Sequence, residues 1–470
     1  MNKPTFRNET VIRNEAVNRN ESKVQEFLRA RAGHYDDIDP LSLPVEAGGY
    51  DWETVEPCFL NRILGGMLRH AARRAKSVPY YAEQLPWQTI NTEDISDIDD
   101  LLELPILSKD NVPGTGTPLQ PGITGFRNDV VDAPIRLLPG NLEQLLYLQE
   151  EANPNHDEIL QKYDGQRLLN FISGGSKGKA TTTTLTYLTV EMEAHALVRS
   201  LFMNGFQQGD SVACFYNSTH KGGLQLARAA QIMAMPFHSK QEIFNTLSRG
   251  CYGENIKKAV VDFQAAPPDH PLYENQAALI RQGLRQYIQE HQINVIETVQ
   301  PPGEFIHNNA KGSSLAFMTM YQEDPSAFSS VNHVFLTGFP VPVEAYETLR
   351  ANGKQVSTTW GSSEAMALAT TASNDPGHPV NDLLATPFPT VGRVVYYQER
   401  NGLEQPRLKD VPVNQKGLLL VSSLLGAGTV YVNYLIGDVA VRTSQGYKDI
   451  GRISTKNIAG SCAADALAVK

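Results

Sequence analysis

The chain has 470 residues, 41% of them hydrophobic, enough for one or two sizeable cores. Its formal net charge of −10 leaves no general basic footprint, so nucleic acid is not an expected partner. Cys58, Cys214, Cys251 and Cys462 are scattered and form no CxxC pair, which argues against a zinc ribbon and a disulfide framework. The opening residues are polar and carry no signal-peptide pattern, so a soluble, cytoplasmic protein is expected.

In chain order, RNE recurs at Arg7, Arg13 and Arg19, a six-residue spacing that fits neither helix nor strand. Residues 1–22 are therefore expected to be a disordered tail. From about residue 60 the pattern turns helical, with LNRILGGMLRHAARRAKSVPYYAEQL, and a helical part is expected over about 60–120. After residue 165 apolar strands alternate with amphipathic helices. The expected strands are RLLNFIS, SVACFY, KAVVDF, NVIETV, HVFLTG and QVSTTW. Between them lie helical stretches such as VEMEAHALVRSLFMNGF, LQLARAAQIMAM, ENQAALIRQGLRQYIQEH and VEAYETLRANG, the last ending in an Asn352-Gly353 cap. Such alternation predicts an α/β fold with a largely parallel sheet, helices on its faces and functional loops at the carboxyl ends of its strands. Residues 418–436 carry no charge over a length close to a membrane span. Serines, glycines and β-branched residues favour two strands around a turn at Gly426 to Gly428, and no membrane span is expected.

Residues 170–186, NFISGGSKGKATTTTLT, leave an apolar strand for a loop of glycines, hydroxyls and lysines, a composition that suits a phosphate chain. A P-loop reading fails at Ser173, where the first glycine belongs, and at Ala180, where a hydroxyl should meet magnesium. Ser176 and Lys179 satisfy the SxxK of acylating hydrolases, but no KTG accompanies them. A third reading needs no gap. SGGSKGKAT resembles the TSGTTGKPT loop of the adenylate-forming superfamily, with Ser173, Gly175, Ser176, Gly178 and Lys179 in register and Gly174 and Lys177 substituted. TTWGSSEAM resembles that superfamily's YGxTE motif, through Trp360, Gly361, Ser363 and Glu364. NYLIGDVA is similar to RYRTGDLA in Tyr434, Gly437 and Asp438, and GRIS, with Arg452, resembles the GRxDD that opens a hinge. The segments LRHAARRAKSVPYYAEQL and HKGGLQ are similar to their counterparts in phenylacetate-CoA-ligase-type enzymes, a group with kinship to the luminescence acyl-protein synthetases.

The resemblance implies a large adenylation core of mostly parallel sheets flanked by helices, with a β-rich subdomain, over residues 23–450. It implies that a carboxylic acid, aryl or fatty, attacks the α-phosphorus of MgATP to give acyl-adenylate and pyrophosphate, with CoA as one candidate thiol acceptor. The loop Ser173, Gly174, Gly175, Ser176, Lys177, Gly178, Lys179 would cradle the outer phosphates, Lys177 adding a point charge. Glu364 would ligate magnesium, Ser363 would bond the α-phosphate, Asp438 would accept from the ribose hydroxyls, and Arg452 would reach the ribose or a phosphate. Gly338 would lie near the adenine, Trp360 would stack on the adenine or line the acyl pocket, Gly361 would belong to the nucleotide site, and His220, Gly222 and Gly223 would lie at the acyl pocket. Asn433, Ile436 and Ser454 depart from the family pattern. Residues 451–470 are expected to be a hinge stub where relatives continue into a small domain of about a hundred residues. An acyl carrier, a partner enzyme, a homodimer and acyl transfer to Cys462 stay open. So does a second function class, a nucleotide- or acyl-binding protein of impaired catalysis, or a subunit completed by a partner.

Overall fold

The structure is a computed structural model. It describes residues 24–31, 33–83, 85–108, 117–118, 135–136, 169–172, 182–215, 221–266, 273–299, 317–337, 341–362, 365, 368–371, 379–398 and 407–452. The expected tail and all of the expected stub beyond Arg452 lie outside these residues.

The N-terminal helical reading holds for Pro57–Ser77. Glu56 caps this helix by accepting from the Phe59 N–H, Pro57 occupies its first turn, and Arg74 and Lys76 sit in its last. Its buried face, Ile63, Leu64, Met67, Leu68, Ala71, Ala72 and Ala75, repeats at three and four residues and packs into the largest core.

The described strands are, in chain order, β1 Leu107–Ser108, β2 Thr117–Pro118, β3 Ile135–Arg136, β4 Leu169–Ile172, β5 Thr182–Leu185 and β6 Val212–Cys214. There follow β7 Phe237–Ser239, β8 Val295–Val299, β9 His333–Thr337, β10 Gln355–Trp360, β11 Ala369–Thr371 and β12 Leu383–Ala385. The last five are β13 Thr390–Gln398, β14 Arg407–Asp410, β15 Lys416–Ser423, β16 Tyr434–Arg442 and β17 Gly446–Arg452. Fourteen of them join in one sheet, in the order β14-β13-β15-β16-β17-β12-β11-β10-β9-β8-β6-β7, with β1 and β2 added beside β16.

The half from β7 to β10 is parallel. Its strands alternate between two cores, as strands covered on both faces must. Val212, Cys214, Val295 and Phe335 face the helices Tyr187–Met203 and Lys221–Ile232. Ala213, Ile296, Val334 and Leu336 face Lys240–Ser248, Glu254–Ala265 and Glu274–Glu290. Beyond β10, the run from β11 through β12, β17, β16, β15 and β13 to β14 is antiparallel.

Two sequence expectations are corrected. KAVVDF is not a strand but part of the Glu254–Ala265 helix, because Ile256, Ala259, Val260 and Phe263 are buried at helical spacing while Val261 is exposed. RLLNFIS does contain β4, but β4 belongs to a separate three-stranded sheet, parallel to β3 and antiparallel to β5. The two-strand reading of 418–436 holds: β15 and β16 pair antiparallel, with Gly426 and Gly428 at positive φ between them. A Cβ on Gly426 would lie 3.1 Å from the Ala71 Cα, so glycine also permits close approach to the Pro57–Ser77 helix. No described helix is long and apolar enough to cross a membrane. The Val343–Ala351 helix ends as expected, with Gly353 at φ 74 and its N–H bonded to the Arg350 carbonyl.

His333 opens β9 with its ring buried and Nε2 bonded to Ser357 Oγ at 2.6 Å. Burial pushes its pKa down to about 3. An unfolded histidine takes up its proton near pH ~6.5. The neutral His333 therefore contributes stability that is complete above the unfolded value and lost as pH falls toward the folded one. Urea midpoints measured from pH 7 to pH 4 should fall less steeply in His333→Gln than in the wild type. Parallel profiles would remove His333 from this role.

Candidate active site at the strand ends

Register sets the site. Val299, Thr337 and Thr359 are neighbours across β8, β9 and β10, and one step back Cys214, Glu297, Phe335 and Ser357 form a second row. These rows mark the carboxyl edge of the parallel half, where sites form in open α/β sheets. Gly338 directly follows Thr337 in the sequence, and Trp360, next after Thr359, ends β10. Gly222 and Gly223 lie in the first turn of the Lys221–Ile232 helix that follows β6.

Trp360 is half-buried against the largest core, and its carbonyl accepts from the Leu368 N–H at 3.0 Å. Gly361 follows it. The Ser362 N–H then donates to the Ala365 carbonyl at 2.8 Å, and the Ala365 N–H donates back to the Ser362 carbonyl at 3.1 Å. This reciprocal pair closes the backbone on either side of Ser363 and Glu364. Those two residues lie outside the described ones, as do Gly338, His220 and the whole loop Ser173 to Lys179. The anchors of that loop are described. Ile172 of β4 and Thr182 of β5 are register partners, and the Thr183 and Tyr431 hydroxyls are hydrogen-bonded at 3.0 Å, both side chains buried. Thr186 then caps the Tyr187–Met203 helix.

Asp438 is 4% exposed on β16 and stands opposite Arg452 of β17 in the antiparallel register. The sequence joined these two residues only by resemblance; the sheet sets their backbones side by side. The sheet does not pair them with Trp360, because β17, β12 and β11 intervene between β16 and β10. Two departures from the family pattern have structural explanations. Asn433 adopts φ 56, which asparagine tolerates, and its Nδ2 donates to the Leu104 carbonyl at 2.5 Å. Its own carbonyl accepts from the Leu107 N–H at 2.9 Å, so it anchors β1 to the start of β16. Ile436 is buried in the largest core.

Sequence reasoning missed two buried polar groups behind this edge. Glu193 of the Tyr187–Met203 helix bonds Lys221 Nζ at 2.9 Å and also accepts from Gln225, with Lys221 only 1% exposed. About two turns on from Lys221, Arg228 forks onto the fully buried Glu191 at 2.6 and 2.9 Å. These pairs tie the helix that follows the β4–β5 hairpin to the helix that carries Gly222 and Gly223. The second group centres on Glu297. Acids inside otherwise apolar segments, VEMEAHALV and NVIETV, were the available signal. Among the described residues no three His, Cys, Asp or Glu side chains gather to hold a metal. A lone carboxylate completed by phosphate oxygens and water is the arrangement magnesium uses.

No protein-family model matches the chain, and no curated protein matches it in sequence. Solved structures do. A 2-hydroxyisobutyryl-CoA ligase in complex with 2-HIB-AMP and CoA, in its thioesterification state, is 14% identical, with a TM-score of 0.54 over 89% of this chain and 74% of that one. Its open conformation aligns over 89% of this chain and 81% of that one at 14% identity and a TM-score of 0.52. The postadenylation state aligns over 85% and 67%, at 13% identity and a TM-score of 0.52. The chain therefore shares the α/β fold of these CoA ligases, the fold class that the sequence motifs implied.

Proposed function

We propose that the chain activates a carboxylic acid as its acyl-adenylate at the expense of MgATP, releasing pyrophosphate, with a thiol such as CoA as the subsequent acceptor. The observation that carries this reading is the agreement of the fold with four motifs that follow one another in order along the sequence. Three of the four touch strands of one sheet: Trp360 ends β10, Asp438 lies midway along β16 and Arg452 ends β17. In this reading the loop Ser173 to Lys179 holds the β- and γ-phosphates, with Lys177 supplying charge. Glu364 binds magnesium, Ser363 the α-phosphate, Asp438 and Arg452 the ribose, and Gly338 and Trp360 the adenine. His220, Gly222 and Gly223 line the acid, for which the phenylacetate-type resemblance favours an aryl or fatty chain. Nucleotidyl transfer needs positioning and charge neutralisation more than covalent help from the protein, and this set supplies both.

The test is exchange of labelled pyrophosphate into ATP against a panel of aryl and fatty acids, with and without cell extract. Acid-dependent exchange by the chain alone is expected. Exchange only with extract would mean that a partner completes the enzyme. Nucleotide binding without exchange under either condition would replace the enzyme with a binding protein.

A further inference from the structure

β8 begins as a buried parallel strand should, with Val295 and Ile296 entering the two cores on opposite faces of the sheet. Its next residue breaks the pattern. Glu297 is 2% exposed and lies in register between Cys214 of β6 and Phe335 of β9. One of its carboxylate oxygens accepts from the Thr337 hydroxyl at 2.7 Å, and the other from the Cys214 thiol at 3.1 Å. Its backbone carbonyl accepts from the Phe215 N–H at 2.9 Å. One residue therefore ties the last residue of β6 to the last residue of β9, across the strand between them.

Packing alone does not explain it. A valine or isoleucine would fill a central strand without the desolvation that a buried carboxylate incurs. Local rules broken inside an otherwise consistent strand point to function. The two strand ends it joins lead to different parts of the proposed site. Thr337 precedes Gly338 on the nucleotide side, and Cys214 ends the strand that leads toward His220, Gly222 and Gly223 on the acid side.

We propose that Glu297 is a positioning residue, whose two oxygens hold the nucleotide-side and acid-side strand ends at one level so that both substrates are presented together. The division into two sides rests on the adenylation reading above; the cross-link itself does not. Three variants of the full chain separate the arms. Thr337→Val removes only the hydroxyl arm, Cys214→Ala only the thiol arm, and Glu297→Gln the charge that both arms address.

Thr337→Val should raise KM for ATP about five-fold, the worth of one hydrogen bond, and leave KM for the acid unchanged. Cys214→Ala should do the reverse. Glu297→Gln should raise both and lower kcat. Equal effects of all three variants on both KM values, or lowered thermal midpoints with both KM values intact, would overturn the proposal in favour of a packing role.

A second readout needs no activity. Amide exchange at Phe215 and Thr337 should accelerate in Glu297→Gln more than in Val295→Ala, a core truncation on the same strand. Equal acceleration in the two variants would overturn the cross-link even if the wild type catalysed no exchange. A wild type without pyrophosphate exchange but with this amide pattern would overturn only the adenylation reading.

Discussion

Replacing Glu193 by alanine is expected to destabilise the protein by about 3–5 kcal/mol, because it leaves a buried ammonium with its ion pair broken. Lys221 is 1% exposed and Glu193 4%, so water cannot re-solvate either charge without opening the contact between the Tyr187–Met203 and Lys221–Ile232 helices. The lysine also lies in the first turn of its helix, where the backbone dipole disfavours a cation, and the carboxylate offsets that. The double replacement Glu193→Leu with Lys221→Met should lie closer to the wild type than Glu193→Ala does, since buried pairs are frequently exchangeable for apolar residues of similar volume. Thermal midpoints at one scan rate would decide this. A Glu193→Ala midpoint within error of the wild type would mean that the pair is not closed in solution.

These buried pairs also show where sequence reading stops. The long helices were legible because their buried faces repeat at three and four residues, as in Pro57–Ser77, and because a cap such as Asn352-Gly353 marks an end. The Glu254–Ala265 helix was misread because Val260 and Val261 together imitate a strand. Only burial shows that one faces the core and the other solvent. The three residues of β7 give too short a pattern to detect. Nothing local announced that the parallel and antiparallel halves are one sheet, since β12, which closely follows β10 and β11, pairs with β17 far along the chain. The motif residues were legible as a resemblance. Glu297 was not, because its partners lie 83 residues before it and 40 after it, and a lone acid near a strand end reads as a boundary.

Glu364→Ala should abolish the part of ATP stabilisation that depends on magnesium. A ligand that binds only the native state stabilises it by about 2.7 kcal/mol at a hundred times its dissociation constant, so the wild-type thermal shift with saturating MgATP should be large. The argument for Glu364 is one of charge: a triphosphate brings several negative charges to the site, and a magnesium ion held by a carboxylate neutralises them where they meet the protein. Without that carboxylate the cation has lost its protein ligand, and the shifts with ATP plus magnesium and with ATP plus chelator should converge. AMP, which carries no outer phosphates, should keep its shift in the variant. The substitution should leave the reciprocal bonds between Ser362 and Ala365 in place, because the backbone groups of those two residues make them. An unchanged magnesium-dependent shift in Glu364→Ala would assign the metal elsewhere. A loss of the AMP shift along with it would mean that the residue shapes the nucleotide pocket rather than holding the ion.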